Sequence, residues 1–305
     1  MQTEAQIVAE AAFNRLFVND DEIARAGADC AFFEMSGERA APLIVERIRT
    51  AIADGTPFSL VRVGNGEGNA IAMVEDAGSP AIFDGFDFEF VSQNGCSITP
   101  EKAVPFSRLV VDAIMSADIQ GYRIGRFDER AVALDCIARG ETSPALGIIY
   151  ARSLFAGQVL GRASRSGWYT SAWIHFDLMT RFAAMVENAT QVVVISGREE
   201  LAARFAEKLG SRLAWFAPIP VQGYVPQSLE TSHYAMFEGL RDRIRQSDLR
   251  GTLVLVGAGL FGKVYCQDAR DAGGVAVDMG SAFDLLAGIS TRPIHRRLDI
   301  SALRW

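Results

Sequence analysis

A doubly wound α/β fold with a mostly parallel sheet is predicted by two observations. First, from Gln191 onward short apolar segments alternate with amphipathic ones: QVVVISG (191–197), SRLAWFAPIP (211–220), GTLVLVGAG (251–259) and GVAVDMG (274–280) read as strands, and residues 199–209, 228–246 and 260–272 as helices. Strands that are continuously apolar, rather than alternating, are those buried on both faces by crossover helices. Second, two of the predicted strands, FSLVRVG (58–64) and GTLVLVGAG, run into a glycine turn that opens a helix.

Upstream, Ile7, Ala11, Phe13, Leu16 and Phe17 can share one helical face. A second helix over about 41–53 places Leu43, Ile44, Ile48 and Ile52 on its buried side, and Asp54-Gly55-Thr56-Pro57 stops it. Strand 58–64 follows, then a glycine turn and a small helix through Met73. Residues 81–97 are aromatic with no readable period. A helix at 100–116, a strand at 119–124 and a helix at 128–139 come next. The expected organisation is an N-terminal helical segment (1–54), an α/β domain (55–290) and a basic tail (291–305). A boundary within 165–190 is only weakly marked.

Composition narrows the function. The 305 residues suffice for one large or two modest domains, and 49% hydrophobic with 22% charged residues excludes wholesale disorder. A net charge of −7 argues against a nonspecific nucleic-acid binder. No apolar run reaches the ~18 residues of a membrane span, and the N-terminal stretch lacks the basic start and apolar core of a signal peptide. A soluble cytoplasmic protein is expected. Cys30, Cys96, Cys136 and Cys266 form no CxxC pair, so neither a zinc knuckle nor a dithiol redox motif is present and reduced, buried thiols are expected. His175, His233 and His295 form no compact metal signature.

Two constellations carry chemistry. In Gly257-Ala258-Gly259-Leu260-Phe261-Gly262-Lys263 a strand meets a helix through glycines. Such a turn lets backbone approach a phosphate at the helix N-terminus. Asp278, 21 residues after Gly257, stands where an acid meets a ribose hydroxyl in dinucleotide folds. Val264 replaces the Ser or Thr that a P-loop needs after its lysine. The bland alternative is a tight turn that packs helix on strand. The second constellation, Arg62-Val63-Gly64-Asn65-Gly66-Glu67, puts an amide and a carboxylate around Gly66, able to address one ligand or one cation. Its bland alternative is Asn65 capping the helix while Glu67 complements the dipole. In an open parallel sheet, two such loops are expected to converge at the strands' carboxyl ends.

The string Arg62–Glu67 resembles the RFGDGE motif of the GT-D-type glycosyltransferases. The stretch 252–281 is similar to that family's closing strand–helix–strand, with Asp278-Met279-Gly280 at its aspartate-x-glycine turn, and QVVVISGRE followed by APIP matches its order of elements. The resemblance spans roughly residues 55–285. It implies a Rossmann-like fold and hexosyl transfer from a nucleoside-diphosphate sugar, UDP-sugar favoured, to a glycan, lipid-linked or protein-linked acceptor, as in polysaccharide biosynthesis. It also implies Mn²⁺ or Mg²⁺ held by an Asp-x-Glu pair. Here Asn65 replaces the aspartate and Glu67 remains; a neutral amide is the weaker ligand for either ion. Glu67 is the expected catalytic carboxylate or, with Asn65, a metal ligand. Arg62, Gly64, Asn65, Gly66, Arg198, Gly257, Gly259, Lys263 and Asp278 are the expected donor-binding residues.

Two other readings stand beside this one: an NAD(P)-binding oxidoreductase built on the glycine turn and Asp278, and a non-catalytic nucleotide- or glycan-binding module, suggested by Asn65. The aromatic run Trp168–Phe176 is expected to be core, with sugar stacking as the alternative. The tail's Arg292, Arg296, Arg297 and Arg304 are expected to be solvated or partner-docking, with peripheral contact to anionic lipid as the minority reading.

Overall fold

A computed structural model describes residues 2–27, 30–32, 35–124, 127–161, 168–221, 223, 231–291 and 295. The arginines of the tail lie outside the described residues. In chain order the elements are α1 (Glu4–Leu16), α2 (Asp20–Gly27), α3 (Gly37–Asp54), β1 (Phe58–Arg62), α4 (Asn65–Glu75), α5 (Pro80–Asn94) and α6 (Pro100–Ser116). Then come β2 (Ile119–Tyr122), α7 (Glu129–Ala138), α8 (Thr142–Gly161), β3 (Tyr169–Ser171), α9 (Ile174–Met179) and α10 (Phe182–Val186). The last are β4 (Gln191–Ser196), α11 (Leu201–Leu209), β5 (Leu213–Pro218), α12 (His233–Arg245), β6 (Thr252–Gly257), α13 (Gly259–Asp271), β7 (Val275–Asp278) and α14 (Ala282–Leu286). Among the described residues the strand pairings in register are parallel, so the fold is the parallel, Rossmann-like α/β class expected.

The chain divides into two compact units, Met1–Ser36 with Arg62–Ala172, and Gly37–Val61 with Trp173–Trp305. In the second unit the strands run in the order β1-β7-β6-β4-β5. Val192–Ile195, Leu253–Val256 and Val275–Val277 are fully buried, which is why these strands read as unbroken apolar runs. β4 pairs β5 on one side and β6 on the other, so strand order reverses around it.

In the first unit β2 pairs β3, and the Val63 amide, just past β1, donates to the Gly121 carbonyl of β2 at 2.7 Å. A buried polar network fixes β2: the Gln158 amide donates to Gln120 Oε1 (3.0 Å) and Tyr122 Oη (2.6 Å), and Tyr169 Oη donates to Gln158 Oε1 (3.2 Å). Each member is hydrogen-bonded, the condition on which buried polar groups are tolerated. α4 lies against α8 so closely that a Cβ on Gly68 would sit 1.8 Å from the Gly147 carbonyl oxygen, and one on Gly147 would sit 2.3 Å from that of Asn65.

Several local expectations are corrected. Residues 81–97 contain a helix, α5, which starts with Pro80 in its first turn and ends at Gly95 in the left-handed region (φ 81°). Ile82, Phe86 and Phe90 form its buried stripe, while Phe88 is 64% exposed; aromatic residues on both faces hid the period. α8 is apolar nearly all round and is buried along most of its length. On α1 the buried residues are Ala9, Ala12 and Phe13, and Ile7 is exposed. On α3, Val45 is buried and Leu43 is not. The aromatic run is split into strand β3 and helix α9, with Tyr169, Ile174, His175 and Phe176 buried. None of the four cysteines forms a disulfide, and only Cys136 and Cys266 are fully buried.

His233 opens α12 in the second unit, stacked on Phe261 (centroids 4.0 Å apart) with Nε2 3.0 Å from Tyr265 Oη. Burial pushes its pKa down from the ordinary 6.5 to about 3. The native state therefore binds fewer protons than the unfolded chain between those values. The stability His233 contributes is full above pH 6.5 and is lost as pH falls toward 3, at about 1.4 kcal/mol per pH unit. Urea unfolding of wild type and His233→Gln across this range should show the steeper acid loss in wild type; equal slopes would mean that the imidazole is protonated in the native fold.

Candidate functional site

In the first unit the site is the N-terminus of α4. Arg62 ends β1, Gly64 is the N-cap, and Asn65 and Glu67 stand first and third in the helix. The capping alternative for Asn65 is thereby corrected, since Gly64 holds the cap position. Glu67, 7% exposed, accepts the Gly64 amide at 2.7 Å through Oε2. Carboxylates at this position are stabilised by the helix dipole and the unsatisfied first-turn amides. Gly66 is buried in the first turn. Arg62 donates from Nη1 to the Ala172 carbonyl at 3.3 Å. Its stem crosses Gly121, where a Cβ would lie 3.4 Å from Arg62 Cγ and 3.1 Å from the Ser171 carbonyl oxygen.

Asn65 uses its side chain differently. Its Oδ1 accepts Arg123 Nη1 at 2.8 Å, and Arg123 Nε donates to Glu129 Oε2 at 2.9 Å. Glu129 is 3% exposed; burial raises its pKa, and the Arg123 charge works against that rise. Arg123 and Glu129 were missed by sequence reasoning. Arg123 did carry a signal: it is the first residue past β2, equivalent in place to the residues that follow β1. Glu129 offered none, because a glutamate opening α7 looks like any first-turn acid.

In the second unit the glycine turn lies at the carboxyl end of β6, beside the end of β4, for Ser196 and Gly257 are register partners. This is the reversal in strand order, the place where doubly wound sheets bind ligands. Gly257 is required by packing: a Cβ there would meet Phe283 Cδ2 at 2.5 Å. Gly259 is required by its backbone, at φ 53°. Lys263 turns back into the fold. Its Nζ donates to the Gly259 carbonyl at 3.1 Å and pairs with Asp278 Oδ2 at 2.9 Å, with the two side chains 2% and 0% exposed. Asp278 thus carries a lysine where a dinucleotide fold would present it to a ribose. Arg198 precedes α11 and pairs with Asp284 Oδ1 at 2.7 Å.

The donors at the α4 terminus do not fit a divalent cation. Asn65 Oδ1 holds a guanidinium, Glu67 Oε2 holds a backbone amide, and Glu129 Oε2 holds the same guanidinium. Mg²⁺ and Mn²⁺ need several oxygens at about 2.0–2.2 Å and repel a neighbouring cation. Among the described residues no group of three or more His, Cys, Asp or Glu side chains converges as a metal site. No described helix is long and apolar enough to cross a membrane.

Fold and strand-end loops together define a parallel α/β protein of the Rossmann-like class. Residues 40–286 match the family model of the GT-D fold-like domain, and the chain belongs to that family. A solved structure, "A New Glycosyltransferase (DUF1792) from Streptococcus sanguinis", is similar at 17% identity over 81% of this chain and 84% of its own, with a TM-score of 0.41. That likeness is too slight to inform function. No curated protein matches the chain.

Removing one partner of the Lys263–Asp278 pair leaves a buried charge uncompensated. Asp278→Ala should cost about 3–5 kcal/mol in urea unfolding, with Lys263→Met/Asp278→Leu recovering most of it; a near-neutral Asp278→Ala would show that the pair is solvated. Gly147→Ala should reach or exceed the top of the ~1–3 kcal/mol range of overpacking, read as a fall in melting temperature, because the new methyl group meets backbone on α4.

Proposed function

We propose that the protein is a glycosyltransferase that moves a sugar from a nucleoside-diphosphate donor, UDP-sugar favoured, to a glycan or glycosylated acceptor in the cytoplasm. The observation that carries the reading is Glu67: a shielded carboxylate at a helix N-terminus, flanked by Arg62 and by the Asn65–Arg123 pair, in a chain of the GT-D fold-like family. In the proposed reaction the acceptor hydroxyl oxygen bonds to the anomeric carbon and the bond from that carbon to the diphosphate breaks. The bonding electrons leave with the nucleoside diphosphate, and the hydroxyl proton passes to Glu67. Arg62 and the first-turn amides at Asn65 and Gly66 offset the charge gathering on the leaving group. Taken by itself, the second unit offers a further backbone element suited to phosphate, the Gly257–Gly259 turn that opens α13, braced by the Lys263–Asp278 pair.

No observation favours the oxidoreductase reading, whose ribose-binding acid is paired with Lys263. The test uses Glu67→Gln, which retains an acceptor for the Gly64 amide but removes the charge. Donor turnover is measured chromatographically over UDP- and GDP-sugars. A positioned acid–base group contributes roughly 10²–10⁴-fold, so Glu67→Gln should lose at least ~10²-fold in kcat with an unchanged melting temperature. Full activity in Glu67→Gln would remove Glu67 from the chemistry. Wild type inert with every donor would favour the binding module.

A further inference from the structure

We propose that Arg123 replaces a divalent cation at this site, so that its guanidinium, held by Asn65 and Glu129, binds the donor diphosphate without metal. The inference rests on the glycosyltransferase reading and deepens it by naming what neutralises the diphosphate.

A nucleoside diphosphate brings several negative charges that must be countered when it binds and again when it leaves. A cation is already in place. Arg123 Nη1 lies 2.8 Å from Asn65 Oδ1, the oxygen that a metal ion would take. An ion ligated there would be forced against the guanidinium, so the two are mutually exclusive occupants. The residue type at 65 fits this exchange. An aspartate would give Arg123 a second carboxylate beside Glu129 and cancel more of its charge. An amide oxygen orients the guanidinium without adding a second negative charge to the one that Glu129 brings.

The group is also pre-organised. Arg123 is fixed at Nη1 by Asn65 and at Nε by Glu129, so little rotamer entropy remains to be lost on binding. Its side chain is 17% exposed, while that of Glu129 is 4% exposed. The backbone beneath it is pinned by the Gln120–Tyr122–Gln158–Tyr169 network. Arg62 ends β1 as Arg123 follows β2, and the Val63–Gly121 hydrogen bond sets those two strand ends side by side. Two arginines rising from adjacent strand ends suit a diphosphate, because planar guanidinium groups grip phosphate oxygens in pairs.

The test is calorimetric titration of the full chain with UDP, GDP, ADP and inorganic pyrophosphate, each in EDTA and in excess Mn²⁺. In wild type the preferred nucleoside diphosphate should bind with the same Kd, within about threefold, in both conditions. Arg123→Met should weaken it by about 10–100-fold, the loss of a charge-assisted contact, and Arg123→Lys by less. Circular dichroism and melting confirm that each variant is folded, and the wild-type comparison needs no variant at all. Mn²⁺ tightening wild-type binding by about tenfold or more, or folded Arg123→Met binding like wild type, would overturn the inference and leave the glycosyltransferase reading standing. Wild type that binds no nucleoside diphosphate in either condition would overturn both.

Discussion

The contact on which the candidate site depends is backbone against backbone. Gly68 of α4 and Gly147 of α8 leave no room for a Cβ on either helix, and Gly147 lies directly against the carbonyl of Asn65. Helices that approach this closely have one allowed register, because there are no side chains at the contact to repack. The first turn of α4 is thereby set as a rigid body, and with it the Asn65 amide and the Glu67 carboxylate. Asn69 adds to the fixation: its amide donates to the Asn65 carbonyl at 3.1 Å and to the Ser143 carbonyl at 3.0 Å.

Charge in the first unit is arranged around that turn. Glu67 is neutralised locally by the helix N-terminus, whereas Glu129 is neutralised by an arginine from a different element. Asn65 is the hinge between these arrangements, since its side chain is neither a cap nor an acid. The neutral residue there accepts the Arg123 guanidinium. Under the proposed reading, the Asn-for-Asp departure exchanges one cation for another.

The second unit solves a separate problem. Two of the three glycines in its turn are explained by local geometry, Gly257 by Phe283 and Gly259 by a positive φ. Lys263 and Asp278 satisfy one another in a dry interior, where either alone would be costly. A motif that in sequence looked like a set of ligand-binding groups is in part an internal brace. Its backbone lies at the end of β6, where the order of strands reverses.

The fold class was legible because its signal is local and repeated: buried parallel strands are apolar without alternation, and glycine turns mark their ends. The N-terminus of α4 was legible for the same reason, as a strand, a glycine and an acid in one short string. Elements with aromatic or apolar residues on several faces, α5 and α8, left no period to read. The pairings Asn65–Arg123 and Lys263–Asp278 join residues 58 and 15 positions apart. Sequence determined which residue types were present at each strand end. Only the tertiary structure decided their partners, because a charged side chain's role follows from what shares its low-dielectric surroundings, and those neighbours are chosen by packing between elements distant in the chain.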